Sequence, residues 1–217
     1  MMDVRKLQTV LGVKVDGQFG PISREALRSR FTNINAPAVK DADIVTFASR
    51  LGCSTKQIKA VAQVESSGGA YDKNGRPKIL FERHLFHRQT GGKWSVSSFS
   101  NPSGGGYSED SWDKLGLACA RDPDAAFGSC SWGKFQVLGL HWSKLGYESP
   151  YALAVSTVED EGAHYELLAR YIEANGLTDE LRALSANPDD CRDFAKAYNG
   201  PSYEQFAYHT KLAKAMA

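Results

Sequence analysis

The stretch Ile58-Lys59-Ala60-Val61-Ala62-Gln63-Val64-Glu65-Ser66-Ser67-Gly68-Gly69 decides how the rest of the chain is read. As a helix it sets Ile58, Val61, Ala62 and Glu65 at i, i+3, i+4 and i+7, a single face of three apolar residues and one carboxylate. Ser-Ser-Gly-Gly then stops the helix and opens a loop. A glutamate therefore ends a helix on the side that faces the core. Burial penalises the charged form of a carboxyl group, so the proton affinity of Glu65 is expected to rise. A carboxyl group that stays protonated near neutral pH is what general acid catalysis needs. The alternative is a boundary glutamate that bends out to solvent, and this stretch alone leaves both readings open.

Around it lie 217 residues, room for one sizeable domain or for a small module with a medium one. Hydrophobic residues at 42% and charged residues at 24% are the proportions of an ordinary globular protein. A formal net charge of +1 gives no long-range attraction to nucleic acid or to an anionic membrane, and neither is expected as a partner. No apolar run reaches the length of a membrane span, so no membrane insertion is expected. Met1-Met2-Asp3-Val4-Arg5-Lys6 lacks the apolar core of a signal peptide, which implies synthesis in a cytoplasm and another route to any target beyond the membrane. Cys53, Cys119, Cys130 and Cys191 form no C-x-x-C pair and read as structural thiols, although Cys119 and Cys130 flank one loop and can pair if oxidised.

Residues 4–31 read as a helical hairpin. Val4, Leu7, Val10 and Leu11 form one stripe, Ile22, Ala26 and Leu27 mark a second helix, and Asp16-Gly17 turns between them ahead of Pro21. Residues 34–40 read as a linker. Asp41 or Asp43 caps a helix through Ile44, Phe47, Ala48 and Leu51 that stops at Gly52, and Thr55 is the candidate cap of the helix that carries Glu65. Residues 77–86 read as extended, and residues 91–106, rich in Ser, Gly, Asn and Pro, as a long surface loop of the kind that carries function. Tyr151 to about Asn175 has the longest helical pattern. Asp179–Ala186, a helix from Asp189 or Asp190 to Asn199, and a last helix from Pro201 follow. The expected fold is mainly α with few short strands.

Three short motifs line up along this frame: Glu65-Ser66 at a helix end, Gly133-Lys134-Phe135-Gln136 in an aromatic stretch, and Ala197-Tyr198-Asn199 at another helix end. In that order they resemble the Glu-Ser, Gly-x-x-Gln and Ala-Tyr-Asn fingerprint of the goose-type lysozyme and lytic transglycosylase superfamily. Residues 41–217 are more closely similar to the N-acetylmuramidase family of phage endolysins, through Val64-Glu65-Ser66, Gly75-Arg76-Pro77-Lys78-Ile79-Leu80-Phe81-Glu82-Arg83-His84, Ser131-Trp132-Gly133-Lys134-Phe135-Gln136 and Tyr198-Asn199-Gly200-Pro201. Residues 1–33, through Leu7-Gln8, Leu11-Gly12, Asp16-Gly17, Phe19-Gly20-Pro21 and Ala26-Leu27, resemble the helical peptidoglycan-binding module of cell-wall hydrolases. The alternative for that hairpin is simple packing on the main domain.

These resemblances imply a lysozyme-like α+β catalytic domain with a small N-terminal helical module. They also imply cleavage of bacterial peptidoglycan between N-acetylmuramic acid and N-acetylglucosamine, with Glu65 as the catalytic acid. A second carboxylate is usual in glycoside hydrolysis, and Glu82 is the candidate, since Arg83 beside it favours an ionised form; Asp72 is the fallback. Gln136, Tyr198 and Asn199 offer donors and acceptors for acetamido and hydroxyl groups, and Ser66 and Phe135 are further candidate substrate-binding residues, Phe135 as support for the cleft floor. Asp16, Gly17 and Phe19 are the candidate wall contacts of the hairpin. No metal or other cofactor is expected: His84-x-x-His87 lacks a third ligand, and no cysteine has the setting of an amidase nucleophile. The rivals are a lytic transglycosylase that leaves 1,6-anhydro sugars, a wall amidase or peptidase, and a wall-binding protein with a vestigial cleft. The chain is expected to act as a monomer, made in the host cytoplasm and acting in the periplasm once another protein breaches the membrane.

Overall fold

A computed structural model describes residues 1–66 and 69–217; Ser67 and Gly68 of the opening loop lie outside the described residues. In chain order the helices begin with α1 (Val4–Val10), α2 (Pro21–Arg30), α3 (Asp41–Leu51) and α4 (Thr55–Glu65). Strand β1 (Ile79–Phe81) leads into α5 (Arg83–Gln89), α6 (Ser111–Cys119) and α7 (Pro123–Gly128), and strands β2 (Cys130–Trp132) and β3 (Val137–Leu138) follow. The chain finishes with α8 (Pro150–Ser156), α9 (Glu161–Ala174), α10 (Thr178–Ala183), α11 (Arg192–Asn199) and α12 (Tyr208–Ala215). The fold is thus mainly α with few short strands, as the periodicity predicts. Two compact units compose it: Met1–Ala36 with Ala70–Glu159, and Pro37–Gly69 with Asp160–Ala217.

In the first unit the three strands pair antiparallel in the order β1-β2-β3, with Ile79 opposite Trp132, Phe81 opposite Cys130 and Trp132 opposite Val137. The core beside this sheet is aromatic. Phe31, just past α2, meets Trp112, Phe127, Trp132 and Tyr151 at centroid distances of 5.3, 5.9, 5.5 and 6.1 Å. Burying such rings contributes roughly 1.5–3 kcal/mol each, so the N-terminal hairpin is built into this unit through Phe31. The hairpin loop is held from inside by Gln8, only 1% exposed. Its Nε2 donates to Asp16 Oδ1 at 2.9 Å and to the Gln18 carbonyl at 3.1 Å, and its Oε1 accepts from Gly17 N at 2.8 Å.

In the second unit α4 packs against α3 and α12, and α3 against α9. Ser54 caps α4, accepting from Gln57 N at 3.2 Å, and Gln57 Nε2 reaches on to the carbonyls of Arg182 and Leu184 at 2.6 and 3.1 Å. Gly52, at φ 65°, closes α3 in the left-handed region that glycine tolerates. The apolar face of α4 read from the sequence is inside, with Ile58, Val61 and Ala62 buried, and Ala60 is buried as well.

Several boundaries differ from the periodic reading. The run from Tyr151 to Asn175 is two helices. Asp160, extended at φ −158°, accepts from Ala163 N at 2.8 Å and starts α9 afresh. Asn33 Nδ2 meanwhile takes the freed carbonyls of Val158 and Glu159 at 3.0 and 2.9 Å. The last helix begins at Tyr208 rather than Pro201, because Gly200 (φ 79°) and Ala207 (φ 54°) hold the intervening residues in turns. Ser54 caps α4 in place of Thr55, and Lys40, the residue before Asp41, holds the N-cap position of α3. Residues 77–86 are half strand and half helix. Val10 and Ile22, expected on inward stripes, are 48% and 78% exposed, since Leu7 with Gln8 and Leu27 with Ser23 make up those short helices' buried faces. The four cysteines are free thiols.

Candidate active site

Glu65 is the last residue of α4 and half-buried. Asn199, the last residue of α11, donates from Nδ2 to Glu65 Oε1 at 2.9 Å. Burial lifts the Glu65 carboxyl from the ordinary range to about 7, against the opposing pull of the Asn199 hydrogen bond and the Lys211 charge. Helices α4, α9, α11 and α12 of the second unit supply this setting. Tyr198 stacks on Phe194 at 5.5 Å and meets Tyr171 edge-on at 5.3 Å, which fixes the end of α11 that presents Asn199. Burial, with the Glu65 charge added, pushes the Tyr198 hydroxyl well above its usual range. On α12, Lys211 Nζ lies 5.1 Å from the Tyr208 ring centroid, and burial and then Glu65 push the Tyr208 hydroxyl up. Chemically this is a carboxyl group that holds a proton near neutrality and can give it up. Ser66 turns its hydroxyl back to the Ala62 carbonyl and finishes the helix.

Glu82, in the first unit, has a different setting. It caps α5, its backbone N donates to the Ser129 carbonyl at 2.8 Å, and its side chain is 16% exposed. Tyr107 Oη donates to Glu82 Oε2 at 2.9 Å, and His84 Nδ1 lies 3.3 Å from the same oxygen. Arg83, expected beside the carboxylate, points elsewhere: its guanidinium donates to the carbonyls of Ser97, Ser103 and Gly104 at 2.9, 3.1 and 2.7 Å. Three carbonyls of one loop outbid a single neighbouring carboxylate. The fallback, Asp72, is occupied by Arg76. Burial raises its carboxyl, but hydrogen bonds from the Arg76 backbone and side chain and from Asn74 N hold it below the usual carboxylate range.

Gln136 sits exposed in the β2–β3 turn at φ 51°, and its Nε2 donates to the carbonyls of Gly133 and Lys78 at 2.8 and 3.3 Å. Phe135 beside it is buried. In the N-terminal hairpin Asp16 and Gly17 bind Gln8, and Phe19 is buried. Lys211, Tyr208 and Tyr107 carry no local motif. Tertiary packing brings them to the two glutamates, and the pattern of neighbours along the chain held no signal for it. Among the described residues no group of three or more His, Cys, Asp or Glu side chains is arranged to hold a metal ion, and no helix is long and apolar enough to cross a membrane.

The comparisons with known proteins place this mainly helical fold with its three-stranded sheet among the peptidoglycan-degrading enzymes. The family description N-acetylmuramidase matches residues 54–217, more than half of the chain, and the chain belongs to that family. Among solved structures it is similar to the crystal structure of the Burkholderia AP3 phage endolysin, at 27% identity and a TM-score of 0.75, over 98% of this chain and 92% of that one. No curated protein matches.

Proposed function

We propose that the chain is an endolysin that hydrolyses the peptidoglycan glycan strand between N-acetylmuramic acid and N-acetylglucosamine, with Glu65 as general acid. The observation that carries this reading is the Glu65 carboxyl, lifted to about 7 by burial and gripped by Asn199. At neutral pH a large share of such groups is protonated. The proton passes to the glycosidic oxygen as the bond to the anomeric carbon breaks and positive charge develops on the sugar ring. Glu82 takes the second carboxylate's role, activating water or attacking the anomeric carbon. Gln136, Tyr198 and Asn199 bind acetamido and hydroxyl groups, with Phe135 and Ser66 as their supports. Asp16 and Gly17 are the proposed wall contacts of residues 1–33, with the buried Phe19 supporting their turn and not itself presented to the wall, and with 34–40 as linker and 41–217 as catalytic domain. The enzyme acts as a monomer on periplasmic peptidoglycan.

Product analysis on purified peptidoglycan, with wild type and Glu65→Gln together, tests this. New muramic acid reducing ends that vanish in the variant support it; free amino groups would point to an amidase or peptidase. One observation favours a second reading, a lytic transglycosylase: among the described residues the side chains that shift the Glu65 carboxyl are Asn199 and Lys211, with no carboxylate among them. A single acid that later takes back a proton is enough for that reaction, and 1,6-anhydro products in the mass spectrum identify it.

A further inference from the structure

The Gly104-Gly105-Gly106-Tyr107 segment ends the long loop, and its glycines leave room for particular side chains. A Cβ on Gly104 would lie 3.3 Å from Tyr107 Oη and 3.8 Å from His84 Nδ1. On Gly105 (φ 103°) it would lie 3.2 Å from an Arg83 terminal nitrogen, and on Gly106 (φ 74°) 3.1 Å from Lys114 Nζ and 3.4 Å from the other Arg83 nitrogen. The loop therefore lies close against the ends of Arg83 and Lys114, and the positive φ of Gly105 and Gly106 is one that glycine adopts without strain. Arg83 answers with its three bonds to loop carbonyls, and the buried Lys114 donates to the Gly106 carbonyl. What this strap delivers is the Tyr107 hydroxyl, at 2.9 Å from Glu82 Oε2. Glu82 Oε1 has no hydrogen-bond partner among the described residues.

We infer that Tyr107 is a positioning residue for the Glu82 carboxylate: it fixes Oε2, with His84 against the same oxygen, and leaves Oε1 to act on water or sugar. This rests on the reading of Glu82 as the second carboxylate. It divides Glu82-Arg83-His84 by task, with the glutamate for chemistry, the arginine to tie down the strap, and the histidine to flank the tied oxygen. A carboxylate free to rotate about its last torsion loses the aim that a held one keeps, and such misalignment is costly in rate.

The experiment uses the full chain on purified peptidoglycan and compares Glu82→Gln, Tyr107→Phe and the double variant, with Tm for each. Tyr107→Phe keeps the ring and removes one hydrogen bond to a charged group, so kcat is expected to fall roughly ten- to hundredfold with KM and Tm near wild type. Glu82→Gln is expected to lose more, and the double variant no more than Glu82→Gln alone, since Tyr107 acts through Glu82. Wild-type kcat in Tyr107→Phe with a disabled Glu82→Gln overturns the positioning role and leaves the Glu82 reading standing. Full activity in Glu82→Gln overturns both. Losses that multiply in the double variant also overturn it, because Tyr107 then acts on substrate directly.

Discussion

The two glutamates sit in opposite surroundings. Glu65 closes a helix, at the negative end of its macrodipole, half-buried beside an amide donor; Glu82 opens one, at the positive end, with a phenol hydroxyl on one oxygen. The first environment keeps a proton on a carboxyl group, and the second orients a carboxylate through a strap of loop. The difference teaches that paired roles need no paired architecture. One side is set by desolvation on a helical face, the other by a hydrogen bond delivered from Tyr107, 25 positions away in sequence.

The strongest way to break this comparison is Glu65→Gln, which removes the transferable proton. Lysis is expected to fall roughly 10²–10⁴-fold, with the far-ultraviolet circular dichroism spectrum unchanged. In the wild type, the rate on soluble glycan fragments is expected to decline as pH rises through about 7, where Glu65 gives up its proton. If Glu82→Gln removes that alkaline limb and Glu65→Gln does not, the roles are exchanged.

The same substitution sharpens the comparison through stability. The folded-state pKa of Glu65 is raised, from 4.5 to about 7. Between those values the folded state binds more protons than the unfolded one, so this group's contribution falls as pH rises and is lost above 7. Glutamine carries no such penalty. Glu65→Gln is therefore expected to exceed wild type in stability at pH 8 by on the order of 2 kcal/mol, and to match it near pH 4. Urea titrations at the two pH values measure this. A gain at pH 4 alone would deny the buried, proton-holding carboxyl.

How much of this was legible in the chain follows from where each signal lives. The face of α4 and its stop were readable, because period and Ser-Gly chemistry are local. So was the presence of Asn199 at a helix end. Asp110 and Asp122-Pro123, the starts of α6 and α7, carried cap signals that the periodic reading passed over, since both helices are short. The turn through Ala207 was not legible: nothing in alanine announces a φ of 54°. Neither were the partners of Glu82, for Arg83 looked like its counter-ion and serves the loop instead.

A smaller effect is expected from Asn199→Ala. Its amide lowers the proton affinity of Glu65, so removing it is expected to move the alkaline limb to higher pH while kcat falls about tenfold or less. Glu82→Gln is expected to leave the position of that limb alone. A downward move in Asn199→Ala would mean that the amide acts on substrate and not on the carboxyl group.

Smallest of all is Lys114→Met, which tests the Glu82 side at one remove. Lys114 is 2% exposed, donates to the Gly106 carbonyl and lies 3.3 Å from Glu109. Methionine matches its length without charge or donor, so the Gly106 carbonyl keeps only the bond from Glu109 N at 3.3 Å, and Arg83 is left as the side chain that ties down the strap. Because the three Arg83 bonds remain, Tyr107 is expected to stay near Glu82, with kcat down about threefold or less and KM unchanged. Amide exchange at residues 105–107 is expected to quicken. A loss as large as that of Tyr107→Phe would show that Lys114, rather than Arg83, holds the strap, and the division of labour within Glu82-Arg83-His84 would then fail at its arginine.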